Sequence, residues 1–336
     1  MECAEETKAM KAVWYDRQGP AREVLQYGDF PTPTPGRGEA LIRVHASGVN
    51  PSDAGMRRGG TGPMAYPRIV PHSDGAGVVE AVGPGASKRL IGQRVWFYNG
   101  QRNGRAFGSG AEYIELDTDL ISPLPDAVSF AEGATLGIPG MTAHVALFLA
   151  GPVQGKTVLV TGGAGAVGHY AVQLAHWAGA SVIATVSSQA KAERARAGGA
   201  DVTINYKTED VTAAIAAATD GQGVDHVVDV DFGGNLGVTL GALKPHGTIA
   251  FYATRGDPAP KLAAGEMTRK NAHAAGVLLP TSPHEQRRRA QADISRWIAT
   301  GKRMLSVASV HPLADAAAAH EAVERGDKVG TVVVAS

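Results

Sequence analysis

The chain has 336 residues, of which 44% are hydrophobic, and it carries 32 Lys and Arg against 32 Asp and Glu. This length exceeds one ordinary hydrophobic core and predicts two globular domains. The balanced charge argues against a charge-driven partner such as a nucleic acid or an anionic membrane surface. The only cysteine, Cys3, excludes an intramolecular disulfide and a cysteine-rich metal site.

The beginning of the chain carries three acids, Glu2, Glu5 and Glu6, and no long apolar run. A secretory signal needs an apolar stretch, and a membrane-spanning helix needs about 20 apolar residues in succession. The sequence predicts neither, and we expect a cytoplasmic protein.

Short apolar stretches separated by glycine-rich or proline-rich turns fill the first third of the sequence and are typical of a β-rich module. The segment 50–71 lacks periodicity, which indicates a functional loop or short helix beside a cleft, or a simple connector. Its arginines, Arg57, Arg58 and Arg68, either favour an anionic substrate or are merely solvated. The predicted strands are Met10–Tyr15, Glu39–Val49, Val78–Gly83, Gln93–Tyr98 and Ala111–Leu116.

Residues 129–150 predict two helices with an interruption at 138–140. Beyond them, apolar strands alternate with helical stretches, which indicates a parallel sheet with helices on both faces. An apolar face that recurs at helical spacing then predicts a helix after Pro283, and 331–334 predicts a last strand that returns to the first domain. The alternating strands are Thr157–Thr161, Ser181–Val186, Val202–Tyr206, His226–Val230 and Thr248–Tyr252, with His273–Leu279 as a candidate sixth.

The first of these alternating strands runs into three glycines spaced three residues apart. Gly162 can form a tight turn, Gly165 lets the backbone approach a pyrophosphate, and Gly168 lets helix and strand pack closely. The following helix offers unpaired N–H groups at its start, Ala166 and Val167, to the phosphates. Glycine spacing alone is weak in a chain with 43 glycines, but the strand before it and the helix after it predict a dinucleotide-binding unit.

The end of the second alternating strand indicates which dinucleotide binds. NAD enzymes usually place an acid about 20 residues after the first glycine, where it binds the ribose 2′-hydroxyl. Here the chain has Ser187, Ser188 and Lys191 instead, and the first acid is Glu193. Two hydroxyls and an ammonium can bind and neutralise a 2′-phosphate, which a carboxylate would repel. The sequence therefore favours NADPH.

Five motifs, spread over nearly the whole chain, together resemble a known family. They are Gly48–Asp53, Pro71–Gly83, Gly92–Val95, Gly162–Gly168 and Ile204–Tyr206. The chain resembles the medium-chain dehydrogenase/reductase superfamily, specifically the zinc-free quinone oxidoreductases related to zeta-crystallin. This resemblance implies an α/β protein with a GroES-like, β-rich substrate domain (1–126 and 281–336) and a Rossmann domain with a doubly wound parallel sheet (127–280). It also implies a homodimer or homotetramer.

The resemblance implies roles for individual residues as well. Lys191 and Tyr206 match a lysine and a tyrosine of related quinone reductases at the 2′-phosphate, although a surface lysine and a strand-end aromatic would look the same. Asn50 can donate a hydrogen bond to the acceptor oxygen, or its side chain can bond the turn backbone before Pro51. By family position, the neighbours of the nicotinamide are Asn50, Thr142, Ala253 and Thr254.

Two departures from related enzymes bear on the chemistry. Zinc alcohol dehydrogenases of this superfamily carry a cysteine and a His-Glu pair where this chain has Asn50 and His72-Ser73. A catalytic zinc needs about three protein ligands, so we expect no metal. Gly55 replaces an active-site tyrosine of several quinone reductases and leaves the acceptor open. Asp53 and Asp74 look like turn or structural acids.

The sequence thus predicts a zinc-independent oxidoreductase that transfers a hydride from NADPH to a quinone. The cofactor carries the hydride, so the protein mainly has to hold the nicotinamide near an electron-poor acceptor and exclude water. One alternative is an NADPH-dependent reductase of enone or enoyl double bonds, which needs a proton donor for carbon. Another is a non-catalytic, crystallin-like NADPH-binding protein. The expected partner is a small-molecule electron acceptor.

Overall fold

The computed structural model describes residues 9–60, 62–102, 104–326 and 328–336, so Cys3 and the N-terminal acids lie outside the described residues. The chain divides into two compact units, Met1–Ile138 with Leu305–Ser336, and Pro139–Met304. Among the described residues, no helix is both long enough and apolar enough to cross a membrane.

Strands and helices are numbered in chain order. The strands are β1 (Ala9–Trp14), β2 (Gln26–Pro31), β3 (Glu39–Val49), β4 (Asp74–Val82), β5 (Arg94–Phe97), β6 (Tyr113–Asp117), β7 (Ile121–Pro123), β8 (Thr157–Val160), β9 (Ser181–Val186), β10 (Val202–Asn205), β11 (Val224–Asp229), β12 (Leu243–Phe251), β13 (His273–Gly276), β14 (Val307–Pro312) and β15 (Thr331–Ala335). The α-helices are α1 (Ala21–Val24), α2 (Pro51–Arg58), α3 (Phe130–Gly133), α4 (Met141–Leu147), α5 (Ala166–Trp177), α6 (Gln189–Ala197), α7 (Val211–Ala218), α8 (Phe232–Ala242), α9 (Ala264–Lys270), α10 (His284–Ala299) and α11 (Ala316–Arg325).

The first unit is built around β3, which pairs with β4, β6 and β15 in a seven-stranded sheet. Alternate residues of β3, Ala40, Ile42 and Val44, are buried, as expected for a strand with one face on the core. All five strands predicted for this part of the chain are confirmed, and the segment 50–71 contains a short helix, α2. β2 and β7 are not predicted, because β2 buries a single side chain and β7 has three residues.

The second unit contains a six-stranded, all-parallel sheet in the order β10-β9-β8-β11-β12-β13. Numbered from β8, this is the order 3-2-1-4-5-6 of a dinucleotide-binding Rossmann sheet. The five predicted strands and the candidate sixth strand are all present. The predicted interruption at 138–140 lies in a kinked turn, Leu136–Gly140, in which the backbone of Gly137 is not helical.

The unit boundaries fall at 138 and 304, whereas the resemblance implied 126 and 280. The later boundary, 304 instead of 280, follows from α10. The predicted apolar face of this helix is fully buried and packs against α4 inside the second unit. Trp297 of α10 also meets Tyr170 of α5 edge to face, with ring centroids 5.9 Å apart. The periodicity of α10 shows that one face needs a partner, but it does not say which domain supplies that partner.

The packing of α10 predicts a large loss of stability when its apolar face is truncated. Ile294→Ala removes a side chain with 0% exposure and should lower the free energy of unfolding of the second unit by about 2–5 kcal/mol. Urea unfolding followed by circular dichroism measures it. Leu278→Ala, at a leucine that is 65% exposed, is the control and should cost less than about 1 kcal/mol. Equal losses in the two variants would show that α10 is not part of this core.

Candidate active site

The glycine turn lies at the carboxyl end of β8, in the middle of the parallel sheet. Gly162 has a φ of +64°, a left-handed conformation that glycine adopts without strain, and its N–H donates to Thr185 Oγ1 at 3.1 Å. A Cβ on Gly168 would lie 2.2 Å from the Gly162 carbonyl oxygen. The start of α5 can therefore approach the end of β8 only because residue 168 has no side chain.

The start of α5 is open at the same edge of the sheet. Gly165 is its exposed N-cap, and Ala166 and Val167 in the first turn are half-buried. The first N–H groups of a helix have no partner within the helix and attract anions. Gly162, Gly165, Ala166, Val167 and Gly168, the five residues predicted to hold a pyrophosphate, thus lie together at the end of β8 and the start of α5.

Strand order reverses between β8 and β11, and ligands of such sheets bind in the crevice beyond the carboxyl ends of the two strands at this point. Thr161 Oγ1 donates to Asp229 Oδ1 at 2.7 Å and accepts the Val230 N–H at 2.9 Å. Asn235 Nδ2 donates to the same carboxylate oxygen at 2.7 Å. These bonds fix the ends of the two strands. Neither Thr161 nor Asp229 is predicted from the sequence, because only the strand order makes them neighbours.

The residues predicted to bind a 2′-phosphate meet at the ends of β9 and β10. Lys191 Nζ donates to Ser187 Oγ at 2.9 Å, and Ser188 is the N-cap of α6, where its Oγ accepts the Lys191 N–H at 3.4 Å. The Tyr206 N–H donates to the Val186 carbonyl at 3.0 Å, and its side chain is 52% exposed. No ion pair between Lys191 and a carboxylate occurs among the described residues. Its charge is therefore available to an anion.

Three further predicted cofactor neighbours belong to the second unit. Thr142 lies in α4 and is 6% exposed. Ala253 accepts the Phe232 N–H at 3.0 Å through its carbonyl. The Thr254 hydroxyl accepts the Gly233 N–H at 3.2 Å and donates to the Asp257 carbonyl at 2.7 Å. The loop after β12 is thus tied to the start of α8, and the Thr254 side chain is used within that loop.

Asn50 lies in the first unit, between the end of β3 and the start of α2, and is 3% exposed. Its backbone N–H donates to Asp53 Oδ2 at 2.8 Å, which is one half of a capping box at the start of α2. Its side-chain Nδ2 donates to Asp74 Oδ2 at 2.7 Å. A buried carboxylate is therefore a partner of the Asn50 amide, and no local pattern in the sequence indicated this contact.

Asp74 is fully buried and is more than the turn acid that its sequence context indicates. Its Oδ1 accepts the Ile138 N–H at 2.7 Å, and a Cβ on Gly137 would lie 2.2 Å from that oxygen. Burial raises the pKa of Asp74 to about 8, because the charged form loses its hydration. Asp74 is thus a titratable group that touches the Asn50 amide.

A chain of buried hydrogen bonds supports the backbone of Asp74 from the other side. The Ser109 hydroxyl donates to the Asp74 carbonyl at 2.6 Å and lies 2.8 Å from Ser47 Oγ. Ser47 Oγ lies 2.9 Å from His72 Nδ1, and His72 Nε2 lies 3.0 Å from His320 Nε2. His72 has a φ of +77°, a strained conformation for a residue with a side chain. The bonds on both of its ring nitrogens stabilise this conformation.

Arg57 lies at the end of this series of hydrogen bonds and determines which ring nitrogen of each histidine carries the proton. Arg57 Nε can only donate, and it donates to His320 Nδ1 at 3.4 Å. His320 therefore carries its proton on Nε2 and donates to His72 Nε2. His72 in turn carries its proton on Nδ1 and donates to Ser47. Burial lowers the pKa of His72 to about 4 and that of His320 well below its usual value, so both rings are neutral.

The arginines of the segment 50–71 are engaged in ion pairs. Arg57 is fully buried against Glu324, and Arg58 lies 3.5 Å from the same carboxylate. Arg68 binds Asp16 through two bonds of 2.6 and 2.9 Å. The structure therefore offers no support for an anionic substrate held by these residues.

The residues at the family's zinc positions do not fit a zinc ion. Catalytic zinc is held by about three nitrogen, sulfur or oxygen ligands. Here the positions hold an amide (Asn50), a hydroxyl (Ser73) and a histidine, His72, whose two ring nitrogens are both hydrogen-bonded. In the part of the chain that the structure describes, no group of three or more His, Cys, Asp or Glu side chains is placed to hold a metal.

The second unit has a cavity of about 960 Å³ at the opposite edge of its sheet. Its lining includes Trp177, Arg196 and the turns 198–201 and 300–304. The turn 198–201 precedes β10, so the cavity lies near the amino ends of the strands. Since ligands of open parallel sheets bind beyond the carboxyl ends, we do not assign a cofactor to it.

The hydrogen-bond directions predict defined tautomers for the two buried histidines. Imidazole ¹⁵N shifts should show a proton on Nδ1 of His72 and on Nε2 of His320, and they should stay unchanged from about pH 8 to about pH 5.5, since both rings are neutral. A histidine in an unfolded peptide titrates near about 6.5 and serves as the control. An Nε2–H tautomer of His72, or a charged ring at about pH 6, would contradict the assignment.

The lowered pKa of His72 also makes its contribution to folding stability depend on pH. The folded pKa of His72, about 4, is lower than the unfolded value of 6.5. Its contribution to stability is therefore complete above about pH 6.5 and is lost as the pH falls toward about 4.

Comparison with known proteins identifies the family. Residues 36–126 match the alcohol dehydrogenase GroES-like domain, and residues 166–296 match the zinc-binding dehydrogenase family. A quinone oxidoreductase of Mus musculus is 30% identical over 97% of this chain and 98% of that protein. A 2-haloacrylate reductase of a Burkholderia species is 32% identical over 97% and 98%.

A mycobacterial protein solved in complex with NADPH is 32% identical and superposes with a TM-score of 0.83, covering 97% of this chain and 100% of that one. The first unit thus contains a GroES-like domain and the second a Rossmann sheet, as the sequence predicted. The chain belongs to the medium-chain dehydrogenase/reductase superfamily, and it is an oxidoreductase of the quinone oxidoreductase family within it.

Proposed function

We propose that the protein is a zinc-independent oxidoreductase that transfers a hydride from NADPH to a quinone. The observation that carries the proposal is the arrangement of Ser187 and Lys191 at the end of β9, beside a glycine turn built for a pyrophosphate. An ammonium and two hydroxyls stand where an NAD enzyme has a carboxylate. This cofactor choice agrees with the mycobacterial relative that was solved with NADPH.

The cofactor is NADPH, and three groups of residues hold it. The start of α5 binds the pyrophosphate, because the N–H groups of Ala166 and Val167 in its first turn have no partner within the helix. The hydroxyls and the ammonium at the ends of β9 and β10 bind the 2′-phosphate. Asn50, Thr142, Ala253 and Thr254 are the proposed neighbours of the nicotinamide. The residues of the first two groups are Gly162, Gly165, Ala166, Val167, Gly168, Ser187, Ser188, Lys191 and Tyr206.

Bound NADPH supplies the hydride, and the chain positions the reactants and stabilises charge. Asn50 is the proposed catalytic group, since its side-chain NH₂ group has two N–H donors, of which one binds Asp74 and the other is proposed to bind the acceptor. A hydrogen bond to the acceptor oxygen stabilises the negative charge that develops as the hydride arrives. Oxygen takes its protons from solvent, so a quinone requires no protein acid.

Zinc independence is supported by the chemistry of the residues at the zinc positions. His72 Nε2 accepts a hydrogen bond from His320, and its Nδ1 donates one to Ser47. A metal on His72 would have to break a fully buried chain of bonds and deprive His320 or Ser47 of this partner. The loss of a hydrogen-bond partner costs about 1–3 kcal/mol for each buried group. These hydrogen bonds therefore favour hydride transfer without a metal.

Reduction of an activated carbon–carbon double bond is the second candidate. It is supported by the relative that is named a 2-haloacrylate reductase. Quinones and enones share a carbonyl conjugated with a double bond, but an enone also needs a proton on carbon. Gly55, half-buried in α2, provides no such donor where several quinone reductases have a tyrosine, which favours the quinone. A third candidate is a non-catalytic NADPH-binding protein.

A substrate panel tests the proposed reaction. Oxidation of NADPH is followed by its absorbance with quinones, enones, acrylates and enoyl thioesters, with and without a chelator. We expect turnover of quinones that the chelator does not change. Turnover of enones or acrylates alone would establish the second candidate, and tight NADPH binding without any turnover would establish the third. Loss of quinone reduction on chelation, with recovery on adding zinc, would refute zinc independence.

The cofactor assignment predicts the effect of removing one charge. Lys191→Ala removes an ammonium from the proposed 2′-phosphate site and should weaken NADPH binding roughly 10- to 100-fold, since a charge-assisted bond contributes about 1.5–3 kcal/mol. NADH binding should change less than about 2-fold, because NADH lacks that phosphate. Fluorescence titration with both cofactors measures the two affinities.

Lys156→Ala is the matched control for this variant. Lys156 is also half-buried, but it precedes β8 at the amino end of the sheet. It should leave both affinities unchanged. Equal weakening of NADPH and NADH by Lys191→Ala would show that Lys191 does not contact the 2′-phosphate.

A further inference from the structure

We propose that Asp231 is a positioning residue, which holds the loop 253–257 in the shape that binds the nicotinamide half of the cofactor. The inference rests on the role proposed above for Ala253 and Thr254, and it adds the group that holds them in place. Asp231 touches neither the cofactor nor the acceptor in this proposal. It acts through the backbone of the loop, which follows β12.

The Asp231 carboxylate binds the backbone of this loop at two successive residues. Its Oδ1 accepts the Arg255 N–H at 2.7 Å and the Gly256 N–H at 3.0 Å, and its Oδ2 lies 3.1 Å from the same Gly256 nitrogen. Successive backbone N–H groups that point at one anion form a concave turn around it. The loop therefore bends around the carboxylate of Asp231.

Asp231 is also anchored to the end of the sheet. It is the N-cap of α8, where its Oδ1 accepts the Gly234 N–H at 3.4 Å, and its own N–H donates to Asp229 Oδ1 at 3.0 Å. Asp229 is fully buried and accepts the Thr161 hydroxyl bond at the end of β8. A series of hydrogen bonds thus runs from the central strand through Asp229 and Asp231 to the loop.

The first turn of α8 and the loop lie backbone against backbone. A Cβ on Gly233 would lie 1.9 Å from the Asp257 carbonyl oxygen, and a Cβ on Gly256 would lie 3.0 Å from Asp231 Oδ2. Residues 254–257 are nevertheless exposed, so burial of apolar surface contributes little to the shape of this loop. Its hydrogen bonds to Asp231 are therefore the interactions that hold it.

These bonds are made to a charged group. Partial burial acts to raise the pKa of Asp231, but the N–H bonds from Gly256, Arg255 and Gly234 outweigh it and hold this pKa below its usual value. Asp231 is therefore a carboxylate at neutral pH, and hydrogen bonds to an ionised acceptor are stronger than those to a neutral one.

The variant Asp231→Ser separates the holding of the loop from the capping of α8. Serine is a good N-cap, but its hydroxyl is uncharged and is shorter than the carboxyl group, so it cannot bind the two loop N–H groups. If the loop then keeps its binding shape about one-tenth of the time, the apparent Kd for NADPH should rise roughly 10-fold. The Kd for adenosine 2′,5′-bisphosphate, which has the 2′-phosphate and lacks the nicotinamide, should change less than about 2-fold.

Calorimetric titration with both ligands measures the two affinities, and Asp225→Ser is the matched control. Asp225 also binds the backbone of a distant segment, the Thr157 N–H at 2.8 Å, but it lies at the amino end of β11. This control should leave both affinities unchanged. An equal loss of affinity for the two ligands in Asp231→Ser, or no loss for either, would refute the proposal.

Amide hydrogen exchange of the wild type provides a second measurement, which decides the matter even if Asp231→Ser does not fold. In the free protein, the Arg255 and Gly256 N–H groups should exchange slowly although their residues are exposed. Exchange as fast as that of an unstructured peptide would show that Asp231 does not hold the loop.

The same exchange measurement distinguishes this proposal from the function on which it rests. NADPH should slow exchange in the loop 253–257 further, and adenosine 2′,5′-bisphosphate should not. If the two ligands act equally, the proposed nicotinamide neighbours are wrong and the role of Asp231 falls with them. If NADPH alone protects the loop and Asp231→Ser binds it normally, only the role of Asp231 is wrong.

Discussion

The buried carboxyl group of Asp74 is the interaction on which the first unit depends. It joins the end of β3 through Asn50, the start of β4 through its own backbone, and the turn before α4 through Ile138. Burying a carboxyl is costly unless its oxygens find donors, and here each oxygen has one. The charged form still loses its hydration on burial, and this raises the pKa of Asp74. The same burial that organises three segments thus creates a group that titrates in the physiological range.

The second unit depends on a close approach of backbone to backbone. Gly168 lets the first turn of α5 lie against Gly162, and this brings the free N–H groups of the helix to the end of the central strand. The bond between Thr161 and Asp229 then fixes the neighbouring strand beside it. The open start of the helix and the support of the neighbouring strand therefore come from the same few residues.

Local signals in the sequence carry much of the predicted cofactor site. The predicted roles of Gly162, Gly168 and Lys191 follow from their neighbours in the sequence, because turn geometry, the start of a helix and local charge are set by residues close together in the chain. The chain of bonds from Arg57 through His320 to His72 had no such signal, since its residues are far apart in sequence. Arginines are usually solvated, and Arg57 of α2 is buried beside Glu324, which is distant in the sequence.

The family, the two kinds of domain, and the alternation of strands and helices around the glycine turn could be predicted from the sequence alone, since motifs, periodicity and glycine spacing are local properties of the chain. Three outcomes required the folded structure: α10 packs in the second unit, Arg57 is buried, and Asp74 faces the Asn50 amide. They depend on which distant segment fills a given space and on how much water remains there. Burial and partner identity are properties of the folded chain, and they set the pKa of Asp74.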